Sequence, residues 1–129
     1  MKERLMHNYI EKNFKKFEFG HEVKFFKKRI DFTFIDENND LHAIELKIKD
    51  WKSALYQLDT NQLCAKFCYL GIWHENEKLV PKETLKKYGF GLISIDKTKC
   101  NIIVHPKESP ILNEKYCYSV KKRIRRDYF

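Results

Sequence analysis

At 129 residues, with 43% hydrophobic and 15% aromatic residues, the chain is long enough for one domain with its own core. It carries 26 Lys and Arg against 18 Asp and Glu, a formal net charge of +8. This charge favours a polyanionic partner, nucleic acid first and an acidic membrane second, although a generic lysine-rich composition gives the same total. No apolar run reaches the ~18 residues of a transmembrane helix, and residues 1–7 lack the apolar core of a signal peptide. We therefore expect a cytoplasmic protein that does not enter a membrane.

The first part of the chain predicts a helix followed by three strands. Apolar residues at helical spacing predict the helix over residues 2–17, with Gly20 as the stop signal. Alternating apolar and polar residues predict the strands, over residues 23–28, 29–35 and 41–49. In the second strand Ile30, Phe32 and Phe34 alternate with Asp31 and Thr33. A turn cluster over residues 36–40 makes the last two strands a hairpin.

The second part of the chain predicts alternating helices and strands. Asp50 is a plausible N-cap for a helix that runs to about residue 65. Residues 67–73 are apolar almost throughout, as in the interior of a covered sheet. The remaining elements are a helix over residues 81–88 that ends at Gly89, a hairpin of residues 90–95 and 101–105, and a basic, helical tail over residues 116–129. The order α-β-β-β-α-β-α-β-β predicts a single α/β domain over residues 1–129, with a central mixed β-sheet flanked by helices.

The four cysteines of the chain lack Cys-x-x-Cys spacing. Since they lie within apolar periodic segments, we expect reduced thiols in the core of an intracellular protein. A disulfide-stapled scaffold is not expected.

Two carboxylates and a lysine are predicted to meet on one face of the first hairpin. Glu45 and Lys47 point the same way from their strand, about 7 Å apart along it, and Asp31 reaches the same spot if the strand register brings it opposite Glu45. Two carboxylates that face open water are a natural Mg²⁺ or Mn²⁺ site, Lys47 could activate a water molecule or stabilise a phosphorane, and Gln57 could orient water or phosphate. The alternative is a solvent-facing hairpin in which Lys47 is only an ion-pair partner.

This arrangement resembles the PD-(D/E)xK nuclease superfamily over about residues 1–105. In that family the Asp lies on the second core strand, and Glu-x-Lys lies on the third, just before a helix that often carries Gln. Residues 43–57 look like the RecB-like and restriction-endonuclease-like branches, while Ile30 replaces the proline of the motif, which is not a metal ligand.

The resemblance implies a restriction-endonuclease-like core and a Mg²⁺-dependent nuclease, with Mn²⁺ as a substitute metal. Asp31 and Glu45 would hold the metal and Lys47 would assist the nucleophile. Family members often add an acidic residue from the first helix, and here Glu3, Glu11 and Glu22 all stay open. DNA is the expected substrate in repair, recombination or restriction, with RNA less favoured. A non-catalytic nucleic-acid-binding module with the same fold is the alternative.

Basic residues are predicted to contact the phosphates of the nucleic acid. These residues are Lys27, Lys28, Lys49, Lys121, Lys122, Arg123, Arg125 and Arg126. For the tail, a solvated segment is an equal alternative. A homodimer is frequent in the superfamily, and Tyr118, Tyr128 and Phe129 could dock the tail or a second subunit. His42 points away from Glu45 and is predicted to be structural.

Overall fold

The structure is a computed structural model that describes residues 1–126. Its elements are α1 Glu3–Phe14, β1 Glu18–Phe25, β2 Lys28–Ile35, β3 Leu41–Lys47, α2 Trp51–Asn61, β4 Phe67–Trp73, a 3₁₀ helix His74–Leu79, α3 Lys82–Tyr88, β5 Gly91–Ile95, β6 Cys100–Val104 and α4 Glu114–Arg126. The predicted helical tail is therefore confirmed as far as residue 126, whereas Tyr128 and Phe129 lie outside the described residues.

The described residues form one mixed sheet with the strand order β1-β2-β3-β4-β5-β6. Strands β3, β4 and β5 are parallel, and the pairs at both edges are antiparallel. Since parallel neighbours need a crossover, α2 connects β3 to β4 and α3 connects β4 to β5. The α/β prediction with a central mixed sheet between helices is confirmed.

Each face of the sheet has its own apolar cluster. Met6 and Ile10 of α1 pack on one face, against residues that include Phe32, Ile44 and Leu46. The opposite face is covered by residues from α2, α3 and α4: Ala54, Leu58, Leu85, Cys117, Val120 and Ile124. All four cysteines are free thiols, three of them buried, as predicted from their spacing.

The boundary between α1 and β1 differs from the sequence prediction. The helix ends at Phe14, and β1 already begins at Glu18. Gly20 therefore lies inside β1 and does not stop the helix. A Cβ atom at Gly20 would approach Val23 Cγ2 to 2.8 Å, so the glycine reflects close packing within the sheet.

Strand β2 changes face at Asp31, which simple alternation did not anticipate. Ile30 belongs to the cluster under α2 and α4, whereas Phe32 and Phe34 belong to the cluster under α1. In β1 the corresponding irregularity falls at Glu22, which has a left-handed φ of 52°. A non-glycine residue in this region is uncommon and marks a distortion of the strand. The distorted segments of β1 and β2, at Glu22 and Asp31, position the candidate site.

Candidate active site

Asp31 lies where β2 and β3 separate. The last paired residues of the two strands are Phe32 and Ile44, and one further step in the same register sets Asp31 opposite Glu45. The Asp31 Oδ2 atom accepts a hydrogen bond of 2.8 Å from the backbone N–H of Leu46. The Asp31 side chain thus holds the β3 backbone at the fork, the point where β2 and β3 separate. The sequence prediction required a register that sets Asp31 opposite Glu45, and the structure has this register.

A third carboxylate lies in the same row across the sheet. The β1–β2 register pairs His21 with Phe32 and Val23 with Ile30, so Glu22 falls opposite Asp31. Glu22, Asp31 and Glu45 therefore occupy equivalent positions on three neighbouring strands. Like charges directly opposite one another destabilise a sheet, and the row needs a compensating positive charge.

The Glu45 carboxylate is buried, which corrects the expectation that it faces open water. Its residue is 0% exposed. Oε2 accepts hydrogen bonds from Lys28 Nζ at 2.9 Å and from Asn61 Nδ2 at 2.7 Å. Burial, and then the negative charge of Asp31, raise the pKa of Glu45 to about 7, although Lys28 opposes the rise.

Two oxygen atoms beside this carboxylate have unmet hydrogen-bonding capacity. Oε1 of Glu45 and Oε1 of Gln57 are buried and have no partner in the part of the chain that the structure describes. A buried acceptor without a donor is costly, so each such atom calls for an explanation. A proton, a water molecule or a cation would satisfy them.

Lys28, and not Lys47, supplies the cation next to Glu45. The Lys28 ammonium also donates to Asn61 Oδ1 at 2.7 Å and to the backbone oxygen of Gln57 at 3.4 Å. Lys28 was predicted to contact phosphate, but its ammonium points inward in this structure because the carboxylate and the amide hold it there. Asn61 was missed, although its place four residues after Gln57 puts both amides on one side of α2.

Lys47 ends β3 and is half-buried. Its positive charge acts on Glu3 of α1, where it opposes the rise in pKa that burial and the charges of Asp31 and Glu22 produce. Lys47 therefore acts electrostatically on Glu3, whereas Lys28 is the lysine that acts on Glu45.

On the α1 side, a histidine joins two of the carboxylates. One ligand atom from each of His7, Glu22 and Asp31 lies within 4.8 Å of the others, a spacing that could hold a metal ion. The three residues line an open cleft of about 440 Å³. Burial lowers the pKa of His7, which favours its neutral, ligating form.

A hydrogen-bonded chain positions this histidine. His7 Nδ1 lies 2.9 Å from His21 Nδ1, and His21 Nε2 lies 2.7 Å from Glu11 Oε1. Of the three acidic residues left open by the sequence, Glu22 offers a ligand atom within 4.8 Å of Asp31, Glu3 interacts with Asp31 electrostatically, and Glu11 binds His21. His7 itself was missed, and the signal that could have found it is its position beside the buried Met6 on α1.

Apart from Lys28, the predicted phosphate-binding residues fall into two groups. Lys121 donates to the backbone oxygen of Asn39, and Arg125 binds both Glu18 and Asn39, so these two side chains fasten α4 to the body of the protein. The others besides Lys28 are exposed: Lys27, Lys49, Lys122, Arg123 and Arg126. No ion pair among the described residues engages these five side chains.

His42 has the structural role that the sequence predicted. Its ring is buried and bonds Asp36 at 2.7 Å and the Tyr69 hydroxyl at 2.8 Å. It lies on the α1 face of the sheet, away from Glu45.

Comparisons with known proteins identify the fold and no function. No family model matches the chain, and no curated protein matches it either. A solved structure described as SPO1766, a protein of unknown function from Silicibacter pomeroyi, is similar with a TM-score of 0.73 and 13% sequence identity. The match covers 96% of this chain and 82% of the other. Within residues 1–126 there is no helix long and apolar enough to cross a membrane.

Proposed function

We propose that this protein is a Mg²⁺-dependent nuclease of the PD-(D/E)xK type, built on a restriction-endonuclease-like core, that hydrolyses phosphodiester bonds of DNA. The observation that carries the proposal is the position of Asp31 and Glu45. The strand register sets them opposite each other one step beyond the last paired residues, where the two strands separate, and Lys47 lies two residues further along β3. This combination supports a metal-dependent phosphodiesterase because the chemistry needs two carboxylates and a nearby cation.

The carboxylates offer oxygen ligands to a divalent cation, and the described donor atoms that lie within 4.8 Å of one another are those of His7, Glu22 and Asp31, without Glu45. Asp31 and Glu45 would hold it, and the unpartnered Oε1 of Glu45 is a buried oxygen with ligand capacity to spare. Glu22 and His7 could add ligands on the α1 side, where the imidazole would suit Mn²⁺ better than Mg²⁺. Bound there, the ion would polarise the scissile phosphate and lower the pKa of a water nucleophile.

The remaining side chains would orient and stabilise the reacting groups. Lys47, whose positive charge acts on Glu3, would stabilise the negative charge that develops on the phosphate. Gln57, whose Oε1 has no partner among the described residues, would accept a hydrogen bond from the attacking water. Lys28 would keep Glu45 in place by its 2.9 Å contact.

Cleavage assays with matched variants test this function. Single-stranded, duplex, flapped and four-way-junction DNA, and RNA, are incubated with the protein in Mg²⁺, Mn²⁺ or EDTA. Asp31→Asn and Lys47→Met should each lower the cleavage rate by at least about 100-fold. Lys97→Met, which changes an exposed lysine in the β5–β6 turn, should leave the rate unchanged. Equal rates in wild type and in both site variants would point to a contaminant and refute the proposal, as would absence of cleavage in both metals.

A second candidate function is a nucleic-acid-binding module that keeps the fold without cutting. The observation in its favour is the direct contact of Lys28 with Glu45, a buried ion pair that stabilises the carboxylate without any metal. Under this alternative, binding persists in EDTA, and Lys47→Met alters affinity only as much as the loss of any single charge does.

A further inference from the structure

A basic, aromatic cleft lies between the β1–β2 hairpin and α4. Its volume is about 270 Å³. It is lined by Lys24, Phe25, Phe26, Tyr116, Ser119 and Arg123. The three α4 residues lie on one side of that helix, so the helix presents a ring, a hydroxyl and a guanidinium to the hairpin.

Phe26 occupies a costly position at the tip of the hairpin. It has a left-handed φ of 55°, a conformation that glycine normally supplies in such turns. For a bulky residue this is an outlier. Nevertheless the residue is 52% exposed, so burial does not account for the choice of side chain. Strain of this kind concentrates at functional sites.

Neighbouring rings hold the Phe26 side chain in place. Its centroid lies 4.6 Å from that of Phe25, and 5.0 Å from that of Tyr116 in an edge arrangement. The ring is thus supported by the protein while half of its surface stays open to solvent. An aromatic face held in this way is a platform for another flat ring.

The charges around the cleft select an anionic partner. Lys24, Lys27 and Arg123 are exposed and have no ion-pair partner among the described residues. Among residues 1–126, no carboxylate lines the cleft. A single exposed ring is too small a patch for a membrane surface, whereas a ring next to free cations is the combination that binds an unpaired nucleotide.

We propose that this cleft binds one unpaired nucleotide, with its base stacked on Phe26 and its phosphate against Arg123 and Lys24. The cleft is connected to the candidate active site through Lys28, which pairs with Phe25 of the cleft in the β1–β2 register and contacts Glu45. This placement rests on the proposed nuclease function and refines it: the substrate carries a single-stranded segment next to the scissile bond.

Binding measured in EDTA separates this inference from catalysis. Fluorescence anisotropy compares a short DNA strand with a strand of the same length whose bases have been replaced by abasic sites. Wild type should bind the strand with bases more tightly, and Phe26→Gly should weaken that binding by about 5- to 100-fold, the usual range for one stacked base. Phe26→Tyr should retain it. Tyr56→Ala, which removes a ring of α2 that is 84% exposed, is the control and should change nothing.

Two further outcomes would overturn the inference. One is equal loss of affinity for both strands in Phe26→Gly, which would indicate a change in the fold of the hairpin and no stacking of a base on the ring. The other is Phe26-dependent binding to acidic phospholipid vesicles without any preference between the strands. If Phe26→Gly does not fold, Phe26→Leu keeps apolar bulk, lacks the ring and gives the same readout. A base preference that depends on Phe26, in a protein that cuts nothing, would refute the nuclease and leave this site standing.

Discussion

At the scale of single residues, the like charges of the candidate site repel one another and raise the electrostatic free energy of the folded state. Glu22, Asp31 and Glu45 lie in one row across three strands, and Glu45 is also removed from water. Burial and the charge of Asp31 together raise the pKa of Glu45 to about 7. A carboxyl group in this state binds a proton or a cation more readily than a solvated one, which is what a metal site requires.

This raised pKa makes stability depend on pH. Because the folded protein keeps the Glu45 proton up to about pH 7 while the unfolded chain releases it near 4.5, wild type should lose stability as the pH rises through that window. Glu45→Gln cannot lose a proton there. In metal-free buffer the two proteins should melt alike at pH about 4.5, and the variant should be more stable by up to about 3 kcal/mol above pH 7.

Thermal melting across this pH range checks the prediction. Glu37→Gln, a change at an exposed residue of the β2–β3 turn, is the matched control and should follow wild type throughout. A wild-type stability that increases with pH relative to Glu45→Gln would contradict the raised pKa.

At the scale of elements, α4 combines a structural and a binding role. Val120 and Ile124 pack under the sheet, while Lys121 and Arg125 bind the β2–β3 turn and β1. Arg123 instead faces the cleft beside Phe26. The basic run of the sequence therefore divides into side chains that fasten the helix and side chains that remain available to phosphate.

Paired substitutions in α4 should separate these two roles. Arg123→Gln should reduce the slope of log affinity against log salt concentration for single-stranded DNA by about 0.7, the value for one lost phosphate contact on a single strand. Its melting temperature should not change. Arg125→Gln should keep the slope and melt about 2–4 °C lower, because it loses a screened surface ion pair and one hydrogen bond.

Salt titrations of DNA affinity, together with melting curves, give both readouts on the same samples. Should Arg125→Gln change the salt slope while Arg123→Gln leaves it unaltered, the assignment of the two arginines would be reversed.

At the scale of the whole molecule, local and net charge have opposite signs. The chain carries a net charge of +8, yet the row of carboxylates gathers negative charge at one fork of the sheet. The positive surface favours approach of a polyanion, and the acidic row would repel it unless a cation intervenes. The two features are compatible when a divalent ion occupies the fork.

A bound ion should stabilise the folded state as a whole. At a free concentration of Mn²⁺ or Mg²⁺ near 100 times the dissociation constant, binding should add about 2.7 kcal/mol, which melting curves with and without metal detect. Asp31→Asn should gain little from the ion. Without metal, this variant should be at least as stable as wild type, because it removes a charge that raises the pKa of Glu45.

Asp59→Asn, at an exposed position of α2, serves as the control for loss of a carboxylate. Equal metal-induced shifts in wild type and Asp31→Asn would mean that the ion binds elsewhere.

Elements with strong local signals were predictable from the sequence. The proline before α3 and the left-handed Gly89 after it bound that helix as expected, and the apolar run of β4 is buried in the sheet. Asp50 caps α2 through the backbone N–H of Ser53. These signals act within a few residues, so they can be recognised in the sequence without knowledge of the fold.

The opposition of Asp31 and Glu45 was predicted only on condition that the register of β2 against β3 allowed it. The turn after Ile35 and the alternation of β2 and β3 limit the register, and the observed register sets Asp31 opposite Glu45. The nuclease function inferred from this pair remains a proposal.

The surroundings of that pair depend on contacts between distant segments. The change of face in β2, the burial of Glu45, and the inward turn of Lys28 follow from how β1, β2 and α2 pack together. His7 meets Glu22 and Asp31 only because α1 lies across that end of the sheet. No local periodicity encodes such contacts, since each requires segments far apart in the chain to be brought together by the burial of both faces of the sheet.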